Sequence, residues 1–420
     1  MGYVDRADRG PESFLSHACR VYTNVGMRDK KHGSNTMREP RIGQFSATVA
    51  AAFIIAAAAL AQEPAPMSIA KVGHVFAGGK YSEVKGRKIM SGQIYAEFMI
   101  PAKRTSPYPV VMVHGGGNTG TVYMQTPDGR EGWAPYFLRK GFAVYVVDQP
   151  GRGRSPYAAD LYGPLPNAGT PENLPKTQTA TKRYNLWPQA HLQTQFPGEG
   201  VAGDPIFDAH WASVQPGIRD YVTTATLNRD GLVALFEKIG PGILITHSQS
   251  GTPSWAVADA RPDLVKALIP IEPGVPYHDV DFVGPPEWFK TDPELRRPWG
   301  LTPIPLHYSP PAPNPGDIVA VEQEKADAPD LAKCWVQKEP ARQLVNLQKV
   351  PILMVTGEAS FHVPTDHCYP KLLKQAGVPA TWIKLADVGI RGNGHAMMLE
   401  KNNLQIADVI YNWITKTLSK

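Results

Sequence analysis

With 420 residues, 42% of them hydrophobic and 19% charged, the chain can bury a large core, and this composition excludes a disordered or fibrous protein. The formal net charge of +5 at pH 7 lies largely in the N-terminal segment, and the remainder is close to neutral, so neither nucleic acid nor an anionic membrane surface is an implied partner. The length would permit two or three domains, but it also suits one α/β domain carrying insertions.

The N-terminus reads as a targeting segment. Met37-Arg38-Glu39-Pro40-Arg41 precedes an apolar stretch from Phe45 to Leu60 that ends in Ala59-Leu60-Ala61 before Gln62. A basic start, a short apolar run and small residues at a cut site make a secretory signal, and the run is shorter than the roughly 20 apolar residues of a membrane span. Residues before Met37 carry no pattern, which leaves Met27 and Met37 as candidate starts. The expectation is an extension and signal over 1–61, a catalytic domain over 62–420, a secreted or periplasmic product and no stable membrane anchor after cleavage.

From Gln62 onward, short β-branched runs alternate with longer amphipathic ones, as in a mostly parallel sheet flanked by helices. Expected strands are Gln93 to Ile100, Pro109 to Val113, Phe142 to Val147, Gly242 to Thr246, Val265 to Ile271, Val350 to Val355 and Thr381 to Leu385. Two stretches rich in Pro, Gly and aromatic residues, about 155–216 and 273–344, break this rhythm. Long irregular insertions of this kind serve as lids or caps over a site, and Trp187, Phe196, Phe207, Trp211, Phe282, Trp288, Phe289 and Trp299 need something to pack against. Gly78-Gly79 is too little for a nucleotide-binding loop, and no cofactor is expected.

The chemistry-bearing motifs follow in chain order. Val110 to Val113 runs into His114-Gly115-Gly116-Gly117, a glycine turn whose backbone N–H groups can be aimed at a developing oxyanion. Gly116 or Gly117 is the expected donor, together with the N–H of Gln249, and His114 is expected to be structural. Asp148-Gln149-Pro150-Gly151-Arg152-Gly153-Arg154-Ser155 has the form D-x-P-G-x-G-x-S and is expected to shape the pocket rim without taking part in chemistry. The apolar run Ile243 to Thr246 leads through His247-Ser248-Gln249-Ser250-Gly251 into a helix-like segment, Pro253 to Ala260. This is a nucleophile elbow, where the tight turn demands small residues two places either side of the nucleophile. Thr246 and Ser250 occupy those places around Ser248. A nucleophilic Ser250 would instead put Gln249 where a histidine is usual, so Ser248 is the better assignment.

The base must come late in the chain. Gly392-Asn393-Gly394-His395 places His395 on a glycine-flanked loop before the final helix, whereas His362 and His367, the competitors nearby, sit elsewhere. The acid is expected after the seventh strand in a segment of the form G-x-x-D-x-x-V-P, but Gly357-Glu358-Ala359-Ser360-Phe361-His362-Val363-Pro364 has serine in the aspartate place. One strand earlier, Glu272 ends the apolar run Leu268 to Ile271. A charge there is costly unless paired, and either His395 or an arginine could pair with it. Cys334 and Cys368, left as an even pair once Cys19 is set aside, are expected to be bridged in an exported protein, with two buried free thiols as the alternative. No metal-ligand spacing is present, and no metal is expected.

On His114-Gly115-Gly116-Gly117, the Ser248-Gln249-Ser250-Gly251 elbow, Glu272, Gly394-His395 and the segment Thr194 to Gly198 with Gly203-Asp204-Pro205, the chain resembles the esterase 713-like branch of bacterial and fungal α/β-hydrolases, over roughly Val72 to Ile414. The resemblance implies an α/β-hydrolase fold, a glutamate acid after strand six, and cofactor-free hydrolysis of a small-molecule ester by an exported enzyme. Lactonase and amidase share this fold and triad, and a non-catalytic binding module on the same fold would require a broken triad or oxyanion position.

Overall fold

A computed structural model of the chain describes residues 66–167 and 169–419. The signal expected over 1–61, and Cys19 with it, lies outside the described residues.

The strands are β1 (Ile69–Val84), β2 (Arg87–Pro101), β3 (Val110–Val113), β4 (Val144–Asp148), β5 (Gly242–His247), β6 (Val265–Ile271), β7 (His278–Gly284), β8 (Trp288–Leu295), β9 (Tyr308–Ser309), β10 (Ala320–Glu322), β11 (Trp335–Gln337), β12 (Gln343–Leu344), β13 (Leu353–Thr356) and β14 (Thr381–Lys384). Eight form one sheet in the order β1-β2-β4-β3-β5-β6-β13-β14. The pairs β1/β2 and β2/β4 are antiparallel, and every later neighbour is parallel. The expected mostly parallel sheet is therefore present, and each expected strand overlaps an observed one.

The central strands are apolar along their whole length because both faces of the sheet are covered. Alternate side chains enter opposite layers. Val111, Val113, Leu244 and Leu268 join the layer that contains Leu232, Leu235 and Phe236 of the helix Tyr221–Ile239. Val110, Met112, Ile243, Ile245 and Ile269 join the layer with Phe137 and with Ile406 and Ile410 of the final helix, Asn403–Leu418. The helix Tyr221–Ile239 starts where the Asp220 carboxylate accepts the Thr223 N–H at 2.6 Å. Its Gly231 lies so close to β1 that a Cβ on Gly78 would come within 2.9 Å of the Gly231 Cα.

β1 was not among the expected strands. It sits at the sheet edge with most side chains exposed, so it shows no apolar alternation. It is defined by the tight Lys85-Gly86 turn, with φ of 49° and 72°, that pairs Val84 with Arg87.

The two stretches read as irregular contain ordered elements. The first holds the helix Pro205–Trp211, and the second holds the antiparallel hairpin β7/β8 and the short strands β9 to β12. The insertions meet at an aromatic cluster in which Trp187 packs edge-on against Phe282 and Phe361, and Phe282 edge-on against Phe289. The Trp187 indole N–H also donates to Ala359 O at 3.2 Å.

Cys334 and Cys368 are bridged, with their Cα atoms 5.2 Å apart and a sequence separation of 34. Closing a loop of that size restricts the unfolded chain, so the double variant Cys334→Ala/Cys368→Ala is expected to lose about 3–4 kcal/mol of stability in denaturant titrations. A loss below about 1 kcal/mol would show that the bridge does little for the fold.

Candidate active site

The strand ends at the carboxyl edge of the sheet bring the expected residues together. Ser248 follows β5 directly with φ of 55°, a left-handed conformation that costs a non-glycine residue about 1–3 kcal/mol and marks a tight strand-to-helix turn. Ser250 holds that turn. Its buried hydroxyl donates to Val113 O at 2.9 Å and accepts the His247 N–H at 3.1 Å, which ties the elbow to β3. Ser250→Ala is therefore expected to cost about 1–3 kcal/mol of stability while leaving Ser248 open to organophosphate labelling. Loss of labelling in a folded Ser250→Ala protein would reverse the choice of serine.

Ser248 is half-buried and opens into a cavity of about 410 Å³, whose lining includes Gly116, Gln249, Val280, Phe282, Phe361 and His362. Gly115 must lack a side chain, because a Cβ there would approach Ser248 Cβ to 2.9 Å. Gly117 adopts φ of 74°, which glycine tolerates and most residues do not. Among the described residues the N–H groups of Gly116 and Gly117 have no acceptor. Gln249 is the second residue of a short 3₁₀ turn, too early for its N–H to find an acceptor within that turn. Gly116 and Gln249 line the cavity together with Ser248. His114 is structural, with its Nε2 accepting the Gln149 N–H at 3.1 Å and its Nδ1 donating to Gly115 O at 2.8 Å.

Glu272 directly follows β6 with φ of 46°, and its carboxylate is fully buried. Oε1 accepts the Gly357 N–H at 2.8 Å, and Oε2 accepts the Ser360 hydroxyl at 2.7 Å and faces His395 Nδ1. No arginine contacts Glu272 among the described residues, so the alternative pairing does not apply. Ser360, in the place where an aspartate was expected, donates its hydroxyl to that carboxylate. Glu358 points elsewhere, to Arg391 Nη1 at 2.6 Å and the Gly392 N–H at 2.7 Å.

Burial raises the Glu272 carboxyl above its ordinary range, with repulsion from Asp366 adding to the rise and the Gly357 and Ser360 donors opposing it. Burial also lowers His395 below its ordinary value, and the neighbouring His247 and His362 rings lower it further. In both groups burial is the largest cause, and it penalises the charged form of each. No hydrogen bond joins Ser248 Oγ to His395 among the described residues, and such bonds commonly tighten only when substrate is bound. His247 links the two elements instead: its ring lies 4.4 Å from that of His395, and its Nε2 donates to His395 O at 2.8 Å.

Sequence reasoning set His362 aside, yet it is part of the site. Its ring stacks on His395 at 4.9 Å and 11°, and its Nδ1 bonds the buried Asp366 at 2.9 Å. The i,i+4 spacing of His362 and Asp366 was the available signal.

The loop carrying His395 is fixed by another buried acid, Glu400, which accepts the Gly394 N–H at 2.8 Å and Asn393 Nδ2 at 2.7 Å. Burial pushes the Glu400 carboxyl up to about 7 from an ordinary 4.5, the donors from Gly394, Asn393 and Gln193 opposing the rise. The folded state then holds a proton that the unfolded state has released, so stability is expected to fall by up to about 3 kcal/mol as pH rises from about 4.5 to 7, and to level off above that. Glu400→Gln should remove this component of the slope, which urea midpoints at pH 5 and pH 8 would show. An unchanged slope would contradict it.

Among the described residues, two groups bring three ligand-type side chains within 4.8 Å of one another: Cys334, His367 and Cys368, and His247, Glu272 and His395. The cysteine sulfurs of the first are bonded to each other, and the second set is engaged in the contacts just given.

Comparison with known proteins places these observations among relatives. A family model described as alpha/beta hydrolase fold matches residues 108–303. A fungal protein named "Probable secreted lipase phiG" (Fungal sp., strain ATCC 74256) is 42% identical over 342 residues, covering 81% of this chain and 88% of that protein. The structure of a novel bacterial esterase superposes with a TM-score of 0.56 at 22% identity, covering 84% of this chain and 98% of that one, a likeness in fold.

Proposed function

The chain belongs to the α/β-hydrolase fold family and is a carboxylic-ester hydrolase, and from that premise we propose that it works through an acyl-enzyme on Ser248, with His395 as base and Glu272 as acid. The observation that carries the proposal is the buried Glu272 carboxylate at His395 Nδ1, a charge-bearing group whose cost at a strand end is offset when it orients and stabilises an imidazolium.

Ser248 Oγ attacks the ester carbonyl while His395 Nε2 takes its proton. The oxyanion is received by the N–H groups of Gly116 or Gly117 and of Gln249. His395 then returns the proton to the leaving alcohol, and water releases the acid by the same path in reverse. Val275, Val280, Phe282 and Phe361 line the cavity, which favours hydrophobic or aromatic esters. The insertions over about 155–216 and 273–344, joined at Trp187 and Phe282, act as the cap. The secreted character of the fungal relative and the Cys334–Cys368 bridge support export of the chain. Among the described residues no helix is long and apolar enough to cross a membrane.

The test is a panel of aliphatic and aromatic esters, lactones and amides assayed with wild type beside Ser248→Ala. Ester turnover that prefers apolar acyl or alcohol groups and disappears in the variant is expected. Faster turnover of lactones or amides than of esters would reassign the substrate class.

A further inference from the structure

Arg152 lies in the Asp148 to Ser155 turn, which was expected to shape the pocket rim without taking part in chemistry. It is 8% exposed and makes no ion pair with a carboxylate among the described residues. The nearby acid is already committed: Asp148 binds Arg154 Nε at 2.8 Å and the Gly120 N–H at 2.7 Å. Arg152 Nη1 instead donates to Gln249 Oε1 at 2.7 Å and to Gly115 O at 3.3 Å, while Nε has no partner. Gly217 is needed for the guanidinium to fit, since a Cβ there would sit 2.3 Å from Nε.

A buried cation without an anion is costly, by several kcal/mol even after relaxation. That cost is explained if an anion arises beside it only during turnover. The two groups that Arg152 holds belong to the two halves of the proposed oxyanion hole: Gly115 starts the glycine turn, and Gln249 follows the nucleophile. We infer that Arg152 is a positioning residue for that hole, fixing the separation of its two halves through Nη1 and supplying a positive charge that is balanced only when the tetrahedral oxyanion forms. Burial brings the Arg152 pKa down to about 10, so the group keeps its proton throughout the working range. Its charge also helps to hold His114 neutral, second to burial, with the His114 pKa lowered to about 4.

The inference rests on the mechanism proposed above, and its test separates the two. Arg152→Met, Arg152→Lys and Ser248→Ala are compared with wild type on one p-nitrophenyl ester, with inhibition by a trifluoromethyl ketone measured in the first two. Arg152→Met is expected to lower kcat by about 10²-fold, the scale of losing one oxyanion donor, with KM within about threefold of wild type. The ketone, which forms a tetrahedral oxyanion on serine, should weaken by a similar factor. Arg152→Lys should recover part of both losses, which a purely structural role would not predict. Normal kcat in a folded Arg152→Met protein, or a loss carried wholly by KM, overturns the inference. Should Arg152→Met fail to fold, Gln249→Met removes the Oε1 acceptor while keeping the backbone N–H, and is expected to lower kcat about tenfold, whereas unchanged kcat overturns the inference. Hydrolysis that survives in Ser248→Ala would instead refute the underlying mechanism.

Discussion

Replacing Ser248 with alanine is expected to lower kcat for ester hydrolysis by about 10⁶-fold and to leave KM nearly unchanged. The hydroxyl is the only group removed, and it sits at the strained turn after β5 in the cavity that Gly116 and Gln249, proposed as oxyanion donors, also line. Those donors and the apolar cavity remain in the variant, so a residual rate about 10³–10⁴-fold above water should persist. The fold should hold, because the contacts that fix the elbow come from Ser250 and His247 rather than Ser248. A variant that retains more than about one hundredth of wild-type kcat would contradict the assignment, since a loss under roughly 3 kcal/mol is too small for a missing nucleophile.

Glu272→Gln is expected to cost about 10⁴-fold in kcat/KM, roughly 5.5 kcal/mol of transition-state stabilisation. The amide keeps the size of the carboxylate but cannot neutralise the imidazolium, and it can turn an N–H toward His395 Nδ1 and favour the wrong tautomer. Its remaining oxygen can still accept from Gly357 or Ser360, so folding should be little affected. Glu358→Gln is the control. It disturbs a partly exposed pair with Arg391 and the Gly392 N–H, and it should cost less than about tenfold. A collapse confined to Glu358→Gln, with Glu272→Gln near normal, would move the acid back to the segment after β13.

The motifs that were legible in the sequence are those in which a backbone constraint selects residue types. The turn needs glycine at Gly115 for space and at Gly117 for its φ of 74°, and the elbow at Ser248 needs small neighbours, so both leave a local signature. Glu272 was legible for a different reason, because a carboxylate at the end of an apolar run needs a partner. The roles of Ser360, His362 and Arg152 were not, since each depends on contacts between segments far apart in the chain: Ser360 with Glu272, His362 with His395, and Arg152 with Gly115 and Gln249. β1 escaped notice because an edge strand with exposed side chains has no apolar period to read. The helical and hairpin elements inside the two insertions were hidden for a related reason: Pro and Gly breaks interrupt their pattern, and long-range aromatic contacts such as Trp187 with Phe282 hold them.

The most direct test of the account is covalent. The purified protein is treated with an organophosphate, its residual activity is followed, and the labelled peptide is identified by mass spectrometry. The account predicts one adduct per chain, on Ser248, accumulating in step with the loss of ester hydrolysis, and no adduct in Ser248→Ala. An adduct on Ser250 or elsewhere, or full hydrolysis by protein labelled at Ser248, would contradict it.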